Sequence, residues 1–297
     1  MLRNLWGALV ARLLLLLCLL LAALCPVAAA AGKKNLIIDT DIFSDCDDAG
    51  ALLLAATSPN VTLLGLNVNV RSSYSALAAS AILAHYGQGS VPIGARRPLN
   101  GDTFVDKFFY SLGEFTSKVA YHWRSNATLL PWDDGAEQAE DPVALYRRLL
   151  AAAADGSVTV ASVGFLANLS ALLNSTAADG HSPLAGPELV AAKVAELVSW
   201  DPLTVLYAIS GLGDTFEYGA ETGFNRVNAT DGSNQWVADP SVTTQRWLKL
   251  KVSNATAAET LDRLYLDAAE RWAATGSPSA DGRRRSLAMA FGEKAEL

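Results

Sequence analysis

Short apolar runs alternate with segments of helical periodicity along the first half of the chain. The predicted strands are Leu36–Asp41, Val61–Val68 and Val91–Gly94, and the helices between them are Asp48–Thr57 and Ser73–Tyr86. Apolar strands that alternate with helices indicate a parallel sheet covered by helices on both faces. The sequence therefore predicts an α/β fold, a Rossmann-like and mostly parallel sheet flanked by helices.

The same alternation resumes after a long polar and aromatic stretch, Arg96–Asp141. That stretch exceeds the usual length of a connection, so it predicts a lid or an insertion. Beyond it the pattern predicts, in chain order, a helix (Asp141–Ala154), a strand (Val158–Val163), a helix (Leu166–Leu173), a strand (Val194–Val198), a helix (Pro202–Ile209), an extended segment (Trp247–Val252) and a helix (Ala257–Ala274).

The first 31 residues have the composition of a secretory signal. Arg3 and Arg12 precede the apolar run Leu13–Leu24, and small residues follow at Ala28–Ala30. The run is shorter than the roughly 20 residues of a membrane span, although a retained anchor is the alternative reading. We predict a signal peptide over 1–31, a domain over 32–276, a loose tail over 277–297 and no stable membrane span after cleavage.

The predicted signal and the sequons indicate a secreted or secretory-pathway protein that is N-glycosylated. The charge bears on its partners. The formal net charge of −7 becomes −9 without Arg3 and Arg12, and an acidic chain without basic clusters argues against nucleic-acid binding. A small-molecule substrate and a possible homo-oligomer remain as partners. Six sequons begin at Asn60, Asn126, Asn168, Asn174, Asn228 and Asn254. Of these, Asn168 lies too close to the predicted core for glycosylation.

Cys46 is the single cysteine outside the predicted signal, so the mature chain has no internal disulfide. It sits among aspartates, where a thiolate would add negative charge to an acidic site. We therefore predict that Cys46 is a small buried hydrophobic residue.

Acidic residues crowd the end of the first predicted strand. They are Asp39, Asp41, Asp45, Asp47 and Asp48. So many carboxylates ionise together only around a strong positive charge, and oxygen ligands suit calcium or magnesium better than zinc. An extended strand points Asp39 and Asp41 to one face, with Thr40 on the opposite face, and the first turn of the next helix favours the anions of Asp47 and Asp48. The pattern predicts a divalent-cation site.

Three separated segments resemble the inosine-uridine-preferring nucleoside hydrolase family. The first is Asp-Thr-Asp (39–41) followed by Asp-Asp-Ala (47–49), which in that family builds a calcium site that also binds ribose. The second, Val158–Leu169, resembles a strand and turn whose backbone carbonyl completes the metal shell. The third, Trp200–Tyr207, resembles the segment that supplies one more metal-binding aspartate. All three occur here in the family's order.

The resemblance implies hydrolysis of the N-glycosidic bond of ribonucleosides, through an oxocarbenium-like state, with a water activated by an aspartate on a calcium ion. Asp41 is then the general base, and Asp47 binds a ribose hydroxyl. The implied calcium ligands are Asp41, Asp48, the Val163 carbonyl (with Ser162 or Gly164 as alternatives) and Asp201. Trp200 either stacks on a purine or simply packs at a strand end.

Two departures from the family pattern matter. The loop is two residues longer than the commonest version, so Asp45 competes with Asp47 for the ribose. The chain also passes from Val198 to Trp200 without the family's sugar-gripping segment, which predicts an internal shortening near 198–200 and reduced activity. A catalytically impaired calcium-binding remnant is therefore one alternative. A magnesium-dependent phosphatase of the haloacid-dehalogenase type is another, although those enzymes usually carry Thr or Val where this chain has Phe43.

Overall fold

The computed structural model describes residues 32–44, 46–101, 115–132, 135–199, 202–227 and 234–275. The predicted signal peptide and the predicted tail lie outside these ranges. Asp45, Trp200 and Asp201 lie outside them too, so the predictions made for those three residues stay predictions.

Nine strands and eight α-helices make up the described part of the chain. The strands are β1 (Lys34–Thr40), β2 (Val61–Val68), β3 (Ile93–Ala95), β4 (Val158–Val163), β5 (Val194–Ser199), β6 (Phe216–Tyr218), β7 (Gly223–Val227), β8 (Asn234–Ala238) and β9 (Leu248–Leu250). The helices are α1 (Asp47–Thr57), α2 (Ser73–His85), α3 (Thr116–His122), α4 (Pro142–Ala152), α5 (Ala167–Leu173), α6 (Gly186–Lys193), α7 (Leu203–Ser210) and α8 (Asn254–Thr275).

The first five strands form one parallel sheet in the order β3-β2-β1-β4-β5. The predicted α/β class and flanked parallel sheet are confirmed. Two short antiparallel pairs, β6 with β9 and β7 with β8, follow along the chain. The pattern missed β6, β7 and β8, since three to five residues carry too little periodicity to identify a strand.

The predicted strand Val194–Val198 is confirmed as β5, which runs from Val194 to Ser199. Helix α6, which the pattern missed, directly precedes it and ends at Lys193. Pro187 in the first turn and Glu188, whose carboxylate accepts from the backbone N–H of Ala185, start a helix there.

The sheet buries different residues on its two faces. Leu36 and Ile38 of β1 pack into the larger core cluster, which also contains residues of α1, α2 and α7. Ile37 points the other way and packs with Tyr146 of α4 and Leu169 of α5. The alternation follows from the two-residue period of a strand, and it fixes which face each later residue of β1 reaches.

The strand β5 forms one edge of the sheet. Its residues alternate between exposed and less exposed, and the Leu197 side chain is 50% exposed. Parallel strands are usually buried on both faces, so an open parallel edge with a half-exposed leucine is unusual.

Among the described residues, no helix combines the length and apolar character needed to cross a membrane.

Cys46 is exposed, so its prediction as a buried hydrophobic residue is wrong. It stands directly before α1, at the N-cap position. The apolar residues that α1 buries begin at Ala51, one turn further along the helix. Cys46, which directly precedes the helix, is therefore left at the surface.

Candidate active site

A fully buried carboxylate lies beneath the carboxyl end of the sheet. Asp39 is 0% exposed, and its Oδ2 accepts a hydrogen bond of 2.9 Å from the Tyr146 hydroxyl. Its Oδ1 accepts from the amide Nδ2 atoms of Asn69 at 2.5 Å and Asn168 at 3.4 Å. Three donors from α4, α5 and the end of β2 thus hold one carboxylate in a fixed orientation.

Burial raises the pKa of Asp39 to about 6, because removal from water disfavours the charged form. The hydrogen bonds from its three donors oppose that effect, and the nearby negative charge of Asp41 adds to it. Tyr146 is fully buried, and burial together with the Asp39 charge raises its pKa well above its usual value. The Tyr146 hydroxyl therefore stays a proton donor to Asp39.

Two further carboxyl groups meet where β1 ends and α1 begins. Asp41 is the first residue after β1, and Asp48 lies in the first turn of α1, where it is 1% exposed. The Asp48 carboxyl accepts from the Thr40 hydroxyl, and it lies close enough to Asp41 to lower the pKa of that carboxyl. Thr40 therefore reaches α1 from the face opposite to Asp39, as the strand period predicted.

Burial is the main cause that raises the pKa of Asp41, and the negative charge of Asp47 raises it further. The hydrogen bonds from its own backbone N–H and from Asp48 lower it. Neighbouring carboxyl groups ionise together only at an electrostatic cost, and a cation placed among them would remove that cost. Asp41 therefore stands in an acidic environment that a positive charge would relieve.

The loop between Asp41 and Asp48, residues 41–46, is here called the aspartate loop, and hydrogen bonds hold its residues Ile42 and Phe43. The Ser75 hydroxyl of α2 donates to the Ile42 carbonyl at 2.5 Å, and the Phe115 backbone N–H donates to the Phe43 carbonyl at 3.2 Å. Phe115 belongs to the predicted insertion, so the insertion touches the acidic site. Asp45 of this loop lies outside the described residues.

The end of β4 closes the site on the other side. Val163, the last residue of β4, pairs with Thr40, and Gly164 follows it. A methyl group placed on Gly164 would lie 2.5 Å from the backbone nitrogen of Asp41, 2.7 Å from its Oδ1 and 2.8 Å from Nδ2 of Asn69. Only a glycine permits this close approach.

The described residues fit a divalent oxygen-bound cation in part. A carboxylate oxygen of Asp41 adjoins the end of β4, Asp48 lies close to Asp41, and the buried Oδ1 of Asn69 has no hydrogen-bond partner among the described residues. An all-oxygen set of this kind suits a hard ion such as calcium. Within the described ranges no three Asp, Glu, His or Cys side chains converge as a metal site. The fourth implied ligand, Asp201, is outside those ranges.

The structure thus brings together Asp41, Asp47, Asp48 and Val163, while Trp200 and Asp201 are not described. The roles assigned to all six stay predictions. Sequence reasoning missed Asn69 and Tyr146 as parts of the site. Asn67 and Asn69 alternate with valine in an otherwise apolar strand, and that pattern was an available signal. No pattern singles out Tyr146, which lies on an ordinary amphipathic helix.

Comparison with protein families decides the relationship. The family model "Inosine-uridine preferring nucleoside hydrolase" matches residues 36–179. These residues belong to the nucleoside hydrolase family. The resemblance drawn from the aspartates and from Val158–Leu169 is thereby confirmed. The third resembling segment, Trp200–Tyr207, lies beyond the matched residues. The nucleoside hydrolase match therefore includes the part of the site that ends with Val163 and Gly164.

Solved structures that resemble the chain include two nucleoside hydrolases. A plant nucleoside hydrolase, PpNRh1, is 21% identical, with 56% of this chain and 47% of that chain covered and a TM-score of 0.37. An inosine-guanosine nucleoside hydrolase is 23% identical, with coverages of 47% and 40% and a TM-score of 0.32. The type III effector XopQ, solved with adenosine diphosphate ribose, is 16% identical, with coverages of 82% and 54% and a TM-score of 0.39.

The chain spans about half the length of these solved nucleoside hydrolase relatives. A search of curated proteins finds no match. The family assignment therefore rests on the sequence match over residues 36–179.

Proposed function

We propose that this protein hydrolyses the N-glycosidic bond of ribonucleosides, with purine nucleosides preferred, to give free base and ribose. One observation carries the proposal: Asp41, directly after β1, and Asp48, in the first turn of α1, lie together at the carboxyl end of the parallel sheet, within the family-matched residues. Sites in open α/β sheets lie at that end of the strands. The family match also favours this activity over a haloacid-dehalogenase-type phosphatase.

In the proposed mechanism Asp41 is the general base. A water molecule attacks the anomeric carbon of the ribose, and Asp41 takes a proton from that water as the bond to the sugar forms. The electron pair of the broken C–N bond leaves with the base, which takes a proton from solvent, and Asp41 returns its own proton to solvent. Asp47 accepts a hydrogen bond from a ribose hydroxyl, and Trp200 stacks on the purine.

Calcium is the proposed cofactor, held by Asp41, Asp48, the Val163 carbonyl and Asp201. When bound, it would supply the positive charge that lets the acids ionise together and would orient the ribose hydroxyls. The raised pKa of Asp41 supports this assignment, since its causes are burial and the negative charge of Asp47, and a cation would counteract both.

Base release from inosine, adenosine and guanosine tests the proposal. We expect turnover with calcium, a loss of at least about 100-fold after chelation because the acids then lose their counter-charge, and recovery when calcium is restored. The measurement is free base by chromatography. As a control for the phosphatase alternative, the same protein is given an aryl phosphate with magnesium. Phosphate release without base release would contradict the proposal.

A second candidate is a calcium-binding remnant without turnover. The observation that favours it is the open β5 edge, with Leu197 half-exposed next to the place where the chain is predicted to be shortened. Lost contacts to the sugar would remove binding that grows in the transition state. Calcium binding by calorimetry together with no base release from any of the three nucleosides would favour the remnant.

We also propose that the protein enters the secretory pathway and carries N-glycans. Four sequon asparagines are exposed: Asn60, Asn126, Asn174 and Asn254. Asn168 is 3% exposed and donates to Asp39, so a glycan there would displace the buried cluster. We expect protein from a eukaryotic secretory host to lose mass on enzymatic deglycosylation, and peptide mapping to find no glycan at Asn168. A glycosylated Asn168 would contradict the described packing.

A further inference from the structure

Asp41 lies just beyond the end of a strand and is not part of the sheet. The strand β1 ends at Thr40, so Asp41 is the first residue of its segment outside the strand. A side chain that must meet a cation and a water needs to be held within a fraction of an ångström, and residues just outside regular structure depend on neighbours for that. The neighbours of Asp41 therefore decide whether the site works.

Asn69 makes hydrogen bonds to both of the residues that directly precede Asp41. Its backbone N–H donates to the Thr40 carbonyl at 2.9 Å, and that carbonyl belongs to the peptide group that joins Thr40 to Asp41. Its side-chain Nδ2 donates to Oδ1 of Asp39 at 2.5 Å. One residue thus fixes the peptide directly before Asp41 and the carboxylate two residues before it.

The Asn69 side chain also lies close to Gly164, which follows the end of β4. The position of a Cβ on Gly164 would be 2.8 Å from Nδ2 of Asn69 and 2.7 Å from Oδ1 of Asp41. Asn69 and Asp41 therefore pack against a single point at the end of β4. Asn69 is 1% exposed, and its rotamer is fixed by this packing.

We propose that Asn69 is a positioning residue, which holds Asp41 in the orientation that binds the cation and accepts a proton from water. The inference rests on the proposed function. Asn69 itself does not need to touch the substrate. Outer residues that orient metal ligands commonly change metal affinity or activity by about 10- to 100-fold when they are replaced.

The chain offers a matched control two residues earlier. Asn67 is also an asparagine on β2, it is 0% exposed, and the strand period places it on the same face as Asn69. Its Nδ2 donates to the Pro142 carbonyl at 3.3 Å, and a hydrogen bond from the side chain also lowers the pKa of Tyr146, so its contacts lie on α4 rather than on Asp39 or the aspartate loop. Replacing either residue by leucine removes one buried amide, so the two variants share the general cost of that change.

The experiment compares Asn69→Leu with Asn67→Leu in the full chain. Calcium affinity is measured by titration calorimetry, and kcat and KM for base release are measured at saturating calcium. We expect Asn69→Leu to weaken calcium binding by about 10- to 100-fold and to lower kcat by a similar factor, with KM changed by less than about threefold. Asn67→Leu should change each quantity by less than about threefold at a comparable unfolding midpoint.

If Asn69→Leu does not fold, Asn69→Ser keeps the backbone bond to Thr40 and loses the side-chain bond to Asp39, and the same losses are expected. Equal effects of the Asn69 and Asn67 variants would overturn the inference, and so would a wild-type protein that binds no calcium. A wild-type protein that binds calcium in an Asn69-dependent manner but releases no base would support the inference and end the proposed function.

Discussion

Asp41→Asn is expected to reduce base release by about 1,000-fold or more, because the amide cannot take a proton from the attacking water. The loss should appear in kcat, measured with inosine at saturating calcium. The change should also remove the stabilisation that calcium gives, since the cation loses one charged ligand. We therefore expect the wild-type unfolding midpoint to rise with calcium and that of the variant to stay unchanged.

The fold itself should survive this substitution. Burial and the charge of Asp47 already raise the pKa of Asp41, so an uncharged side chain there removes an unfavourable term in the calcium-free protein. Without calcium, the variant should unfold at the wild-type temperature or above. Asp155→Asn is the control, since Asp155 is an exposed residue paired with Lys193 on the surface. Wild-type turnover by Asp41→Asn would remove Asp41 from the mechanism.

Gly164→Ala is expected to have the second largest effect. The new methyl group would sit 2.5 Å from the backbone nitrogen of Asp41, closer than non-bonded atoms approach, so Asp41 or the end of β4 must move. Overpacking of this kind typically costs about 1–3 kcal/mol of unfolding free energy. A displacement of about 1 Å at a catalytic group can lower the rate by about 100-fold, so activity should fall by about that factor.

Denaturant unfolding and base-release kinetics, each with and without calcium, measure both effects. Gly101→Ala is the matched control, since a methyl group on Gly101 meets no described residue within 4 Å. The backbone at Gly164 is not in the left-handed region, so steric contact alone is expected to cause the loss. A Gly164→Ala variant with wild-type stability and turnover would show that Asp41 and β4 do not meet closely.

The aspartates also show how much of the site the residue pattern alone can predict. The strand period placed Thr40 opposite Asp39 and Asp41, and the structure places Thr40 against Asp48 while Asp39 meets α4 and α5. Local geometry determines such alternation, so it can be read without a fold. The exposure of Cys46 could not be read in this way, because it depends on which turn of α1 first meets the core.

The sequence alone determined the alternation of strands and helices, the parallel sheet and the acidic cluster at the end of β1, because each depends on periodicities of a few residues. Only the tertiary structure decided that Asn69, Tyr146 and Asn168 share one carboxylate and that Gly164 touches Asp41. Those contacts join residues that are 30 positions apart for Asn69 and Asp39 and up to 129 positions apart for Asn168 and Asp39. Their distances are set by how the strands and helices pack, which no local pattern specifies.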